Sequence, residues 1–275
     1  MNREGFIDFV ARFSAENSGT ANSYDIAIQI LDKVLKHQDI IDLHGRSLYE
    51  IEDVEVIKSV LELVNVEVGK MKKSLPNIFD YGRPDQTSYP RNHFCSAALK
   101  KLIRYAEFEH DNEVADIIVA NETNPRTISK KLLNHFDINK DGEDYETMTK
   151  HRKGQEYFRR MILSIYGGRC ALTGLNVPQT LRASHIVEWS LDIPNRMNPE
   201  NGLCLSATYD AAFDKHLISF DDDYRMIVSK EIKDYYTNEV SRDYFAKFEG
   251  KQITLPTLYL PSKKFLKKHR EKLVG

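Results

Sequence analysis

The hydrophobic positions in the first half of the chain recur with the period of an α-helix. Apolar residues stand three or four positions apart, separated by polar and charged residues, in five segments: residues 6–13, 26–35, 48–68, 93–119 and 127–136. This spacing places the apolar side chains on one face of each helix, where they can be buried together. The sequence therefore predicts a mainly helical domain over residues 1–136.

The pattern changes in the second half of the chain. Residues 137–153 are polar and charged, which is typical of a linker. One more helical stripe ends at Gly167-Gly168, and short apolar runs then alternate with turn residues, which is typical of small strands. Residues 217–228 predict a β-hairpin around a polar turn. The patterns together predict an α+β chain, in which the helical domain and the linker are followed by a second domain over residues 154–275.

Composition narrows the class of protein. The chain has 275 residues, of which 41% are hydrophobic and 29% are charged, enough to build one large or two ordinary domains. There is no run of about 18 apolar residues, so no membrane span is expected, and the first residues lack the apolar segment of a secretory signal. Cys95, Cys170 and Cys204 are far apart, which argues against a disulfide framework. A cytoplasmic protein is expected.

The charge is unevenly distributed. The whole chain has a formal net charge of −2, but residues 151–275 carry 20 Lys and Arg against 15 Asp and Glu. Because phosphate groups bind cationic side chains, a phosphate-binding surface is expected in the second half. The candidate DNA-binding residues form two basic segments: Arg159, Arg160, Lys263, Lys264, Lys267, Lys268 and Arg270. For the C-terminal segment the alternative is a solvated tail.

Three polar residues of the second half are spaced like the parts of a hydrolytic site. His185 lies in a short apolar run, Asn201 follows it at a turn, and Asp210 lies in a helix-like run. A neutral imidazole with a pKa near about 6.5 can take a proton from water. An amide can fix a loop, and a carboxylate can bind a divalent ion that neutralises charge on a phosphoryl group. Taken singly, the three residues have simpler interpretations: a core histidine, a turn asparagine and a solvated acid.

The segment from about Tyr166 to Ser229 resembles the HNH nuclease family. The resemblance rests on five groups of residues, which together are similar to restriction-type members: Cys170-Ala-Leu-Thr-Gly, Ala-Ser-His185-Ile, Trp189, Asn201-Gly-Leu and Phe213-Asp214. It implies a ββα-metal fold that hydrolyses nucleic-acid phosphodiesters. It also implies that His185 is the general base, that Asn201 holds the loop between two strands, and that the residue at position 210 binds a metal ion.

The chain departs from the family at one metal-binding position. Many members have an Asp immediately before the catalytic His, where this chain has Ser184. Asp210 occupies the position of the family's last ligand. Asp214 is either a second ligand or a cap of the hairpin, and His216 could replace either acid. Carboxylate oxygens favour Mg²⁺ or Mn²⁺. The paired Cys-x-x-Cys motifs that hold zinc in many members are missing, so no structural zinc is expected.

The resemblance implies a metal-dependent endonuclease that cuts double-stranded DNA, in restriction of or defence against foreign DNA. The helical domain would then serve DNA recognition or oligomerisation. A homodimer is a further expectation, since one hairpin supplies one base and one metal for one phosphodiester. One alternative is a non-catalytic DNA-binding or regulatory protein on an HNH scaffold. Another is a protein-interaction module joined to a nuclease that kills the cell.

Overall fold

The computed structural model describes residues 1–12, 19–38, 40–80, 88–138 and 145–274, with the backbone alone for Arg12, Gln38 and residues 145–152. The chain forms two compact units, Met1–Glu113 and Val114–Gly275. The linker expected at residues 137–153 falls in the second unit, and its residues 139–144 lie outside the described residues. None of the described helices is long and apolar enough to cross a membrane.

The first unit is built from amphipathic helices, as the hydrophobic pattern predicts. They are α1 (Arg3–Arg12), α2 (Thr20–Gln38), α3 (Val54–Lys72), α4 (Ser88–Arg91) and the first part of α5 (Phe94–Ala120). Their apolar faces meet in one core that includes Phe6, Leu31, Val60 and Leu99, all of them fully buried. Burial of these faces, rather than helix propensity alone, stabilises the unit.

One helix of this unit begins later than the pattern predicts. The stripe at residues 48–68 predicts a helix from its first residue, but Leu48–Glu50 forms a short 3₁₀ turn and α3 begins at Val54. Ser47 and Asp53 each accept a hydrogen bond from the backbone N–H two residues further on. Each cap satisfies an N–H group that has no partner inside its helix, so the two caps fix two separate starts.

The second unit combines helices with two small antiparallel sheets, which confirms the predicted α+β class. Its helices are the end of α5, α6 (Pro125–His135), α7 (Tyr145–Ile165), α8 (Ala207–Asp214), α9 (Lys230–Lys233), α10 (Glu239–Ser241) and α11 (Lys263–Arg270). Its strands are β1 (Leu181–His185), β2 (Gly202–Ser206), β3 (Ile218–Phe220) and β4 (Met226–Val228). The predicted hairpin is confirmed, because β3 pairs with β4 and Ile218 lies opposite Val228.

Strands β1 and β2 and helix α8 form a strand–loop–strand–helix unit. The two strands are antiparallel, with Ser184 opposite Leu203 and His185 opposite Gly202. Strand β2 is buried along its whole length, and Phe213 of α8 is fully buried in the same core. Because α8 follows β2 directly and packs against β1, its polar side chains lie beside the end of β1 that carries the histidine.

The basic C-terminal segment is a packed helix, not a solvated tail. In α11 the side chains of Leu266 and His269 are buried. Beyond the helix, the backbone N–H of Val274 donates to the carbonyl oxygen of His216 at 3.1 Å. Two buried positions three residues apart give α11 an inner face, so its lysines lie on the outer face.

Candidate active site

Residues of α7, β1 and α8 line one open cleft with a volume of about 520 Å³. Its charged and reactive lining residues are Arg159, Arg182, Ser184, His185, Glu188, Asp210 and Asp214. The strand–loop–strand–helix topology therefore brings together residues that are up to 55 positions apart in the sequence. Among the described side chains, the cleft contains one imidazole, two guanidinium groups and three carboxylates, the kinds of group that phosphodiester hydrolysis requires.

Of the two ring nitrogens of His185, only Nε2 has a hydrogen-bond partner among the described residues. Nε2 lies 2.9 Å from the carbonyl oxygen of Arg196. A carbonyl oxygen only accepts, so Nε2 carries the proton and Nδ1 the lone pair. The ring stacks on Phe158 at a centroid distance of 3.9 Å and meets Trp189 edge-on. Burial lowers the pKa of His185 to about 4, so the ring is neutral near pH 7 and Nδ1 can accept a proton.

Gly202 allows Phe158 to approach the histidine. Gly202 lies opposite His185 in the β1–β2 ladder. A Cβ atom at this position would lie 2.4 Å from Cδ1 of Ile162 and 2.9 Å from Cζ of Phe158. Such short contacts do not occur for real Cβ atoms, so only glycine permits α7 to come this close to β2. The glycine therefore sets the position of the ring on which His185 stacks.

Asn201 closes the loop between β1 and β2. Its side chain is fully buried, and Oδ1 accepts a hydrogen bond from the backbone N–H of Val187 at 2.8 Å. Nδ2 donates to the carbonyl oxygens of Val187 and Asn195, both at 3.1 Å. These bonds hold the backbone immediately after His185. Asn201 is not among the residues that line the cleft, so it positions the histidine without facing a substrate.

Two carboxylates of α8 face the cleft. Asp210 and Asp214 lie one helical turn apart, and buried Ser184 donates from Oγ to Oδ1 of Asp210 at 2.6 Å. Burial, together with the negative charges of Asp210 and Glu188, raises the pKa of Asp214 to about 6. A cation bound between the two carboxylates would relieve this repulsion. Ser184, at the position where many HNH proteins have a ligand, instead supports a neighbouring acid.

The donor set of the cleft fits a hard divalent ion. Mg²⁺ is usually bound through one or two carboxylates and keeps several of its waters, which is what Asp210 and Asp214 can provide. Over the described residues, no group of three or more His, Cys, Asp and Glu side chains could hold a metal ion. A cation in this cleft would therefore need water molecules or phosphate oxygens to complete its coordination.

His216, the third predicted metal ligand, does not line this cleft. Its Nδ1 lies 3.1 Å from Nε2 of His269, and its Nε2 lies 3.8 Å from Oε1 of Glu188. Burial lowers its pKa, with a further contribution from Lys272. The ring packs against the C-terminal helix, so the structure does not bring His216 into the cleft with Asp210 and Asp214.

Several predicted DNA-binding residues are already paired with acids. Arg160 pairs with Asp116, Lys268 with Asp192 and Arg270 with Asp222. Lys263 lies over the ring of Tyr224, and Lys264 and Lys267 are exposed. Arg159 lines the cleft instead. An internal ion pair reduces the charge that a side chain offers to DNA, so the basic segments are less available than their sequence indicates.

Comparison with known proteins agrees with this geometry. Residues 170–221 match a family model described as HNH endonuclease. The matched segment contains β1, β2 and α8, and with them every predicted catalytic or metal-binding residue. Among curated proteins, none matches the chain. The match supports the HNH family and a nuclease activity for this segment.

Sequence reasoning missed part of the cleft. Arg182 and Glu188 line it, and Phe158 and the carbonyl group of Arg196 orient the histidine. Arg182 lies three residues before the histidine on the same strand, a spacing that places the two side chains on opposite faces and gave no signal that both line the cleft. The contact with the Arg196 carbonyl depends on the path of the loop, for which the sequence pattern carries no signal.

Proposed function

We propose that the second unit is a metal-dependent DNA endonuclease. One observation carries the proposal: a neutral histidine, whose Nδ1 has no hydrogen-bond partner among the described residues, shares an open cleft with two carboxylates that repel each other. The histidine can take a proton from water, and the carboxylates can hold a cation beside a phosphodiester. The match of this segment to HNH endonucleases supports the same chemistry.

Each residue of the cleft has a separate role in the proposed hydrolysis. His185 would accept the proton of the attacking water at Nδ1, while the Arg196 carbonyl keeps the other nitrogen protonated. Asp210 and Asp214 would hold Mg²⁺ or Mn²⁺, and Ser184 fixes the side chain of Asp210. The bound ion would neutralise charge on the phosphoryl and leaving oxygens. Asn201 keeps the histidine in place through the backbone of Val187.

Cleavage of plasmid DNA tests the proposal directly. Purified full-length protein is incubated with supercoiled plasmid, first with EDTA and then with added Mg²⁺ or Mn²⁺. Cleavage should vanish with EDTA, return with either ion and survive a zinc-selective chelator, because the cleft offers oxygen ligands. Binding of DNA without cleavage under every metal condition would overturn the proposal and favour a non-catalytic DNA-binding protein.

We propose further that the DNA is foreign and that the role is restriction or defence. The support is the similarity of residues 170–214 to restriction-type HNH proteins, together with a separate helical unit of 113 residues that is available for recognition. Phage should form plaques less efficiently on cells that produce the protein than on cells that produce a His185→Ala variant. Equal plating against a broad phage panel would contradict a defence role but not the nuclease activity.

Double-strand cleavage is proposed to need two copies of the chain. The described residues give each cleft one histidine base and one pair of α8 carboxylates. Each cleft would therefore cut one phosphodiester at a time, and a two-fold dimer would present two clefts to opposite strands. Light scattering gives the mass, and a time course of nicked and linear plasmid gives the order of cutting. A monomeric mass with nicked DNA accumulating before linear DNA would contradict the dimer.

A further inference from the structure

Two arginine side chains converge on one backbone oxygen at the candidate cleft. Arg159 donates from Nη1 to the carbonyl oxygen of Leu181 at 2.7 Å and from Nη2 to that of Pro178 at 3.2 Å. Arg182 donates from Nη1 to the same Leu181 oxygen at 3.0 Å and to the Gln179 oxygen at 3.1 Å. Both side chains line the cleft that contains the histidine.

Among the described residues, the two arginines of this pair have no direct ion-pair partner, although three carboxylates line the same cleft. In the part of the chain that the structure describes, neither Arg159 nor Arg182 forms an ion pair with a carboxylate. Arg160, Lys268 and Arg270, in contrast, each have an acidic partner. Like charges held at one point repel each other, and an anion between them would remove that repulsion. The pair therefore favours an anionic ligand.

We infer that Arg159 and Arg182 bind a backbone phosphate of the DNA other than the one that is cut, an inference that rests on the proposed function. A guanidinium has five N–H donors in a planar fork that matches phosphate oxygens. Backbone carbonyls use two donors of each arginine and hold its position, which leaves the others for a phosphate. The site is thus built by the protein backbone before any ligand binds.

The position of the pair separates the phosphate that it would bind from the scissile one. Arg182 precedes His185 by three residues in β1, which at about 3.3 Å per residue places their Cα atoms about 10 Å apart. The backbone carbonyls that hold the two guanidinium groups belong to residues 178–181, at the end of β1 away from His185, so the pair is placed for a phosphate other than the one beside the histidine. Gln155 lies one turn before Arg159 on α7 and also lines the cleft, where it offers a neutral amide to the same strand.

The salt dependence of DNA binding tests this inference. The full chain carrying His185→Ala, which prevents cleavage, is titrated with a short fluorescent duplex at about 50 to 200 mM salt. Adding Arg159→Gln and Arg182→Gln should lower the slope of log K against log salt by about 0.9, the loss of one phosphate contact. Affinity at the lowest salt should fall about tenfold, since hydrogen bonds between charged groups are lost.

Two matched double variants show whether a change in slope comes from the charge of Arg159 and Arg182. Arg159→Lys with Arg182→Lys should keep the parental slope because the charge is retained. Lys268→Gln with Arg270→Gln removes two acid-paired charges and should change the slope by less than half as much. If the double glutamine variant does not fold, Arg182→Gln alone, at an exposed side chain, decides the question.

The outcomes separate the inference from the proposed function. The phosphate site is overturned if the slope of log K against log salt is unchanged in the double glutamine variant, or if it falls equally in the Lys268→Gln, Arg270→Gln control. The proposed nuclease activity still holds in that case if the parent chain cuts plasmid. A parent chain that neither binds nor cuts DNA overturns the proposed function and the phosphate site together.

Discussion

Two histidines of the second unit have nearly the same surroundings but different positions relative to the cleft. His185 stacks on Phe158, and His269 stacks on Phe213 at a centroid distance of 3.7 Å. Nε2 of each ring lies within hydrogen-bonding distance of a backbone carbonyl oxygen, and burial lowers both pKa values to about 4. The two histidines therefore share the same kind of ring stacking, the same tautomer and the same pKa, and none of these properties distinguishes them.

The difference lies in the second ring nitrogen. Nδ1 of His269 accepts a hydrogen bond from Oγ of Ser219 at 2.9 Å, and the residue is only 3% exposed. Nδ1 of His185 has no hydrogen-bond partner among the described residues, and the ring lines an open cleft. A lowered pKa alone therefore does not identify a catalytic histidine. A ring nitrogen without a hydrogen-bond partner among the described residues, in a histidine that lines a cleft with acids, is the feature that makes His185 the candidate.

The largest expected effect follows from removing each ring. His185→Ala should lower the rate of plasmid cleavage by about 10²–10⁴-fold, because the proton acceptor is lost, and should leave DNA binding nearly unchanged. His269→Ala should keep the cleavage rate per folded molecule but destabilise the protein by about 1–3 kcal/mol, because buried partners lose their hydrogen bonds. Cleavage rates and urea unfolding of both variants measure the two effects.

The comparison fails if the two variants behave alike. Parental cleavage by His185→Ala would remove this residue from the mechanism. A loss of cleavage in folded His269→Ala as large as in His185→Ala would show that burial of both nitrogens does not exclude a ring from function.

A smaller effect is expected from the two carboxylates that share the cleft with His185. Asp210→Ala should raise the Mn²⁺ concentration for half-maximal cleavage by about 10–100-fold, since a ligand and its hydrogen bond from Ser184 are both lost. Asp214→Ala should raise it less, because this carboxylate ionises with difficulty beside Asp210. Asp210→Asn should restore part of the affinity. Equal metal titrations for Asp210→Ala and the parent would assign the ligand role to another residue.

The sequence predicted the elements of the fold better than the contacts inside the cleft. Helical stripes, the β3–β4 hairpin and the α+β class follow from local periodicity, which a single sequence displays directly. The late start of α3 was not predicted, because the caps at Ser47 and Asp53 compete with a continuous hydrophobic stripe. At this point the hydrogen bonds of two capping side chains, rather than the hydrophobic period, determine where the helix begins.

Within the site, sequence spacing identified residues but not all of their partners. His185, Asn201 and Asp210 were selected from order and spacing, and the structure places two of them in one cleft, with Asn201 behind it. His216 shares sequence proximity with Asp214 but packs on His269, which is 53 residues further along the chain. A contact over that distance depends on how α11 packs, and no local pattern contains that information.

The smallest expected effect concerns acid stability, in which the two histidines should again be equivalent. Their folded pKa values of about 4 lie below the ordinary value of 6.5, so between these limits only the unfolded chain takes up a proton at each ring. The free energy of unfolding should therefore fall as the pH falls below 6.5, by up to about 1.4 kcal/mol per pH unit for each histidine. Above pH 6.5 neither ring contributes to the pH dependence of the free energy of unfolding.

Replacing one ring at a time isolates this effect. His185→Phe and His269→Phe each keep an aromatic ring on the stacking partner and remove one titrating group. Between about pH 7 and pH 5, the free energy of unfolding of each variant should therefore fall by about 1–2 kcal/mol less than that of the parent. Asp214, whose raised pKa acts in the opposite direction over the lower part of this range, is common to all three proteins and cancels in the comparison. Urea unfolding at the two pH values measures the differences. If only one variant shows the reduced acid dependence, the two rings differ in burial as well as in their second nitrogen, and the equivalence from which the catalytic assignment was argued no longer holds.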